Sequence, residues 1–417
     1  YIGEKNKKYT SKKMNPFKLF IFLFFLSSCS SVSDKERMEE INVALNFENF
    51  GDTYLKMNQY FDTKEIYNSD QIFVFPKREE VELPKEFEYN DNIFNTKKYL
   101  DSSYTQGFLV LHKDSISFES YYLGQKKDTR HISWSVAKSF VSALMGIAIE
   151  EGYIKSIEDN VEKYLPELSS SGYNGVKIRE LLQMSSGIKF DETYSDSLSD
   201  INRYWIGFVL GDSQDKFAAT LKNDITPGTF NHYVSINTHI LGMIIVRTTG
   251  KSLTEYLEEK IWKKIDMEHN GYWLVDGYGM EMALGGLNAT VRDYAKMGKL
   301  FLDSGRWKGK QIVPEEWVLE STSINAEHLE AKSNNSAHPN IGYGYQWWIP
   351  GTSEKYGNEE EFMAIGIYNQ FIYVNRTTNT VIVKTSANRN YYDRFNNPYA
   401  GKHGAIELFR EIAHMND

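Results

Sequence analysis

HISWSVAKSFVSALMGIAIEEG, residues 131–152, reads as a buried helix entered from a strand. Ala137, Phe140, Val141, Leu144, Ile147 and Ala148 recur at helical spacing, and Gly152 stands past the last periodic residue as a stop. At the N-terminal end comes Ser135-Val-Ala-Lys138. A spacing of three puts the hydroxyl and the amine on one helix face, one turn apart. A serine nucleophile needs that geometry if a lysine is to take its proton. The same pair also suits an N-capping serine followed by a lysine whose stem lies along the helix. Because this helix is apolar nearly all round, its lysine must be neutralised, paired or functional.

Ser-x-x-Lys occurs twice more, as Ser186-Gly-Ile-Lys189 and Ser213-Gln-Asp-Lys216. The first of these carries a helix-weakening glycine, and the second is a polar run without an apolar face. Only Ser135 opens a helix that reads as central.

The chain of 417 residues is long enough for one large core or two modest ones. Residues 1–13 are lysine-rich and precede Met14, the expected start. From there MNPFKLFIFLFFLSSCSS has a basic residue, an apolar run over 19–26 and then small residues, the pattern of a secretory signal. The run is too short to span a bilayer. Leu26-Ser-Ser-Cys29 resembles the lipobox of bacterial lipoproteins, which implies lipidation at Cys29 and an exported protein anchored to the cell envelope, periplasmic or on the outer face. Cys29 is the sole cysteine, so no intramolecular disulfide is expected. Removing residues 1–28 takes away six lysines and one glutamate, moving the net charge from −9 to about −14. An acidic chain without a basic tract argues against nucleic acid as a partner.

Residues 29–94 read as a tether and then an extended arm containing Pro76 and Pro84. Residues 95–417 read as the folded domain. Residues 106–112 (QGFLVLH) and 115–122 (SISFESYY) are expected as a hairpin turning at Lys113-Asp114. A turn and helix are expected over 153–168, and helices over 176–186, 236–249, 253–264, 291–304 and 406–414. Residues 363–374 and 380–384 are expected as paired strands. Strands at both ends with helices between predict one antiparallel sheet flanked by helices, an α+β arrangement with a helical subdomain inserted at about 135–280.

Two further stretches carry chemistry. Pro227-Gly-Thr-Phe-Asn-His-Tyr233-Val-Ser235 leads by a Pro-Gly turn into a helix, and Gly366 interrupts the apolar run EFMAIGIYNQ over 361–370. A glycine within a strand marks close approach by a ligand or another backbone. Ser-x-x-Lys, then Tyr-x-Ser, then Ala364-Ile-Gly366 follow one another in the order of the signature of the penicillin-recognising serine hydrolases. The chain resembles that superfamily over about residues 95–415. Within it the chain is most similar to class-C-like esterases and aminohexanoate-dimer hydrolases, through SWSVAKSFVSALMGIA, DETYSD, YVSINTHILG and GIYNQFIYVNRTTNTVIVK.

The resemblance implies a β-lactamase/DD-peptidase-like fold and acyl transfer to Ser135, with Lys138 and Tyr233 moving protons; which of the two is the base stays open. It implies an oxyanion hole from the backbone N–H groups of Ser135 and Ile367, and substrate contacts from Tyr194, Ser235 and Gly366. No metal and no cofactor are expected. The third motif normally begins with a lysine that holds a substrate carboxylate, and here Ala364 stands in its place. That favours small esters or amides over antibiotics or peptidoglycan as substrates. A β-lactamase or DD-peptidase and a slowly acylated sensor remain as alternatives.

Overall fold

The computed structural model describes residues 32–46, 48–338, 340–393 and 401–415. The leader and Cys29 therefore lie outside the described residues.

In chain order the N-terminal segment forms α1 (Val32–Ala44), α2 (Phe50–Thr53), β1 (Thr63–Ile66), the hairpin β2 (Glu86–Tyr89) and β3 (Asn92–Asn95), and α3 (Thr96–Ser102). This corrects the expected tether and arm. Met38, Ile41, Phe50, Tyr54, Met57, Phe61 and Ile66 are all buried in the main core. Met38 and Ile41 stand three apart, and Phe50, Tyr54, Met57 and Phe61 recur at spacings of four, three and four, the pattern of buried helical turns that the reading as a tether passed over. The stretch around Pro76 does run extended: its carbonyl accepts the Ile116 N–H, and Val81 donates to Ser117.

β4 (Thr105–His112) and β5 (Ser115–Tyr121) form the expected hairpin. β6 (His131–Ile132) then leads into the Ser135 turn and α4 (Ala137–Glu150). Only helices and turns follow up to β7: α5 (Ile178–Leu182), α6 (Asp200–Val209), α7 (Gln214–Thr220), α8 (Ile236–Thr249) and α9 (Leu253–Leu257). The helix expected over 153–168 is instead two 3-10 turns, Val161–Lys163 and Pro166–Leu168. Leu165, held by the following proline, takes φ −125° and ψ 72°, outside the helical region.

The remaining elements are β7 (Gly271–Leu274), β8 (Leu287–Ala289), α10 (Val291–Leu302), the short pair β9 (Arg306–Trp307) and β10 (Lys310–Gln311), and α11 (Glu315–Ser321). β11 (Ile341–Tyr343), β12 (Trp348–Pro350), β13 (Glu361–Gly366), β14 (Gln370–Asn375), β15 (Thr380–Ser386) and α12 (Lys402–His414) complete the chain. The run expected as one strand over 363–374 is a hairpin, because Tyr368 and Asn369 both take positive φ and turn the chain.

The main sheet is antiparallel, in the order β11-β12-β13-β14-β15-β4-β5, so strands from both ends of the domain meet where β15 pairs with β4. Both faces are covered, and alternation along each strand divides the side chains between two cores. Leu109, Leu111, Ala364, Ile372, Val381 and Val383 join the core that contains α4 and α10. Phe108, Val110, Met363, Phe371 and Ile382 pack with Phe409 and Ile406 of α12. A smaller sheet, β1-β7-β8-β6, carries the strand that enters the Ser135 turn. Arg292 of α10 ties the layers together, donating to both Glu119 oxygens at 2.6 Å and to Glu268 at 3.3 Å, with all three side chains buried.

Candidate active site

Ser135 sits in a one-turn 3-10 helix, Trp134–Val136, between β6 and α4. Trp134 enters that turn with φ +45°. A bulky residue in this region costs about 1–3 kcal/mol and persists only where its surroundings hold it. Ser135 is partly exposed, whereas Lys138 is buried, so the hydroxyl is open to a substrate and the amine behind it is not.

The Lys138 Nζ lies 2.9 Å from Ser135 Oγ and donates to the Leu284 carbonyl at 2.7 Å. Burial pushes its pKa down to about 7, with the negative charge of Glu192 working the other way. A lysine so placed can be a neutral amine near neutral pH and accept a proton.

Tyr233 closes the other side. The Lys138 Nζ lies 5.3 Å from its ring centroid, and the ring stacks on Trp348 at 5.4 Å and 19°. Burial, and secondarily Glu192, raise the phenol above its ordinary range, with the Ser135 hydroxyl opposing. Ser135, Lys138 and Tyr233, spread over 98 positions of the chain, are thus brought together.

The other two Ser-x-x-Lys motifs have structural roles. Ser213 caps α7 by accepting the Lys216 N–H at 3.3 Å, and the Ser186 hydroxyl donates to Asn237 Oδ1 at 3.0 Å.

Ser235 is buried at the N-terminus of α8, and its N–H donates to Glu192 Oε1 at 2.7 Å. Burial raises the Glu192 pKa, and Lys138 is the leading influence that lowers it. Glu192 was not among the residues expected at the site. It lies two positions before Tyr194 in an acidic loop, and nothing local distinguishes it from Asp191 or Asp196. Tyr194 is half-buried against the core; burial and then Glu192 push its phenol up.

Gly366 ends β13 beside the Ser135 turn. A Cβ there would stand 2.5 Å from the Ser133 carbonyl oxygen, so what approaches this glycine is the backbone leading to Ser135. β13 pairs with β12 at Trp348–Met363, before the strand reaches Ala364-Ile-Gly366. Ile367 follows directly, ahead of the positive-φ pair Tyr368 (φ +63°) and Asn369 (φ +71°). Ala364 is buried in the core.

The profile of the β-lactamase family matches residues 107–405. The chain belongs to the β-lactamase family. This hydrolase is 34% identical over 296 residues to the 6-aminohexanoate-dimer hydrolase of Paenarthrobacter ureafaciens, covering 69% of this chain and 74% of the relative. A Bacillus anthracis structure provisionally described as a 6-aminohexanoate-dimer hydrolase superposes with a TM-score of 0.75 at 26% identity, over 89% of this chain and 96% of that one. A family VIII carboxylesterase shares the fold, with a TM-score of 0.54 at 17% identity over 76% and 96% of the two chains. The expected superfamily and β-lactamase/DD-peptidase-like fold are therefore correct.

Proposed function

We propose that this β-lactamase-family hydrolase cleaves small esters or amides through an acyl-enzyme on Ser135. The observation that carries the reading is the buried Lys138 amine 2.9 Å from a partly exposed Ser135 hydroxyl. The Oγ attacks the substrate carbonyl as its proton passes to Lys138, forming the O–C bond. Charge on the tetrahedral oxygen is met by the N–H groups of Ser135 and Ile367. The bond to the leaving alcohol or amine then breaks as that group takes a proton relayed through Lys138 and Tyr233. Water then attacks the ester so formed, the bond between Ser135 Oγ and the acyl carbon breaks as Oγ takes a proton from that water through Lys138 and Tyr233, and the carboxylic acid leaves.

Ala364, buried where a carboxylate-holding lysine would stand, supports neutral esters or amides over carboxylate-bearing antibiotics. The test compares wild type with Ser135→Ala on chromogenic acyl esters, linear amides including the 6-aminohexanoate dimer, and nitrocefin. Ester or amide turnover lost in the variant, with negligible nitrocefin hydrolysis, is the expected result. Rapid nitrocefin turnover would move the assignment to a β-lactamase, and turnover unchanged in Ser135→Ala would remove the nucleophile. We further propose that the mature chain is exported and held by a lipid on Cys29. Palmitate incorporation that persists in Cys29→Ser would disprove the anchor.

A further inference from the structure

Two bulky residues with positive φ bracket the proposed oxyanion donors. Trp134 comes immediately before Ser135, and Tyr368 immediately after Ile367. Left-handed backbone in such residues is held by packing, and here one packing unit holds both. The Trp134 and Tyr368 rings meet edge-on with centroids 6.2 Å apart. The Tyr54 ring lies against both, 5.4 Å from Trp134 and 5.8 Å from Tyr368. Phe50 backs it, 5.0 Å from Tyr54 and 5.4 Å from Tyr368. Tyr54 is 2% exposed, and its carbonyl accepts the N–H of Ile132, three residues before Ser135. Phe50 and Tyr54 come from the N-terminal segment, ahead of the residues 107–405 that match the family.

We propose that Tyr54 is a positioning residue of the oxyanion hole, its ring locking the Ser135 turn to the Ile367 hairpin and so fixing the spacing of the two N–H donors. This rests on the acyl-transfer reading above. Two donors on separate loops can meet one developing charge only if the loops keep a fixed separation. Gly366 against Ser133 sets how closely the backbones approach, and the aromatic cluster stops the loops turning about that contact. Oxyanion donors act chiefly in the transition state, so loosening them lowers kcat more than it raises KM.

The experiment uses the full chain with Tyr54→Leu, Tyr54→Phe, Phe50→Leu and Ser135→Ala. Ester kinetics are normalised to sites titrated with a fluorophosphonate. Tyr54→Leu is expected to lower kcat per titrated site by about 10- to 100-fold while KM moves less than about threefold. Tyr54→Phe keeps the ring but removes the hydroxyl that interacts with both Trp134 and Tyr368, and is expected to fall between wild type and Tyr54→Leu. A merely structural role would reduce the titratable fraction and leave kcat per site unchanged, and that result would overturn the proposal. Should Tyr54→Leu not fold, Phe50→Leu decides: a fall of about threefold or more per site supports the proposal, and wild-type kcat overturns it. Turnover that survives in Ser135→Ala would instead mark failure of the acyl-transfer reading itself.

Discussion

The Glu192 carboxylate accepts the Ser235 N–H at 2.7 Å, at the first turn of α8 and two residues beyond Tyr233. That hydrogen bond helps to hold the Glu192 side chain where it acts electrostatically on both Lys138 and Tyr233. Burial favours the neutral Lys138 amine and the Glu192 charge favours the ammonium, so the balance between them sets where the amine titrates.

The first prediction concerns that balance. If the neutral amine is the base, kcat/KM rises with pH through an acid limb near the Lys138 pKa of about 7. Glu192→Gln removes the charge that raises this pKa, so the limb should move to lower pH. A pH–rate profile of both proteins checks it; an unmoved limb would mean that Lys138 does not define it.

Lys138→Met should lower kcat/KM by about 10²- to 10⁴-fold on activated esters, as expected for loss of a general base. It should also alter stability with a definite sign. Because the folded pKa of Lys138 is depressed, the unfolded chain binds more protons between about pH 7 and the ordinary lysine value. The cost of burying this lysine is full below that window and is relieved as pH rises through it. The Tm of wild type relative to Lys138→Met should therefore climb between pH 7 and 9 in paired thermal scans.

Gly366→Ala places a Cβ 2.5 Å from the Ser133 oxygen, a backbone atom that cannot rotate away. The Ser135 turn and β13 must then separate. Activity should fall by about tenfold or more, since small misplacements of reacting groups carry costs of that order. Ester kinetics beside a far-UV CD spectrum of unchanged shape would show the effect; wild-type kcat would mean that the contact does not set the site.

Away from the site, Arg292→Ala leaves the buried Glu119 and Glu268 carboxylates without their guanidinium. Breaking a buried pair from one side costs about 3–5 kcal/mol. For a chain of this size that corresponds to a fall in Tm of about 4–6 °C. Differential scanning calorimetry measures it, and a shift under about 2 °C would show that Lys77 and Lys127, which also reach these carboxylates, substitute for the arginine.

Much of the framework was legible because its signals are local. Ser135 and Lys138 are one helical turn apart, so three residues of spacing suffice to pair them. The hairpin at Lys113-Asp114 lies between two short runs rich in strand-forming residues, and α8 begins and ends where its apolar pattern does, with Gly250 at φ +69° as its cap.

Other features had no local signal. The turn at Tyr368-Asn369 lacks the glycine that usually marks positive φ, so two strands read as one. Phe50 and Tyr54 stand four apart, which marks them as one helical face, but nothing near them in the sequence names Trp134 and Tyr368 as what that face meets. Glu192 is one acid among several in its loop until α8 arrives to bond it.

The sequence by itself determined the helix that Ser135 and Lys138 open, the order of the motifs and the antiparallel sheet drawn from both ends of the domain, because periodicity and short spacings act between neighbours along the chain. Only the tertiary structure decided which carboxylate stands beside Lys138, which backbone meets Gly366, and that the N-terminal segment buttresses the site. Those are contacts between residues tens to hundreds of positions apart, selected by how whole elements pack and desolvate one another, and no residue carries them in its own neighbourhood.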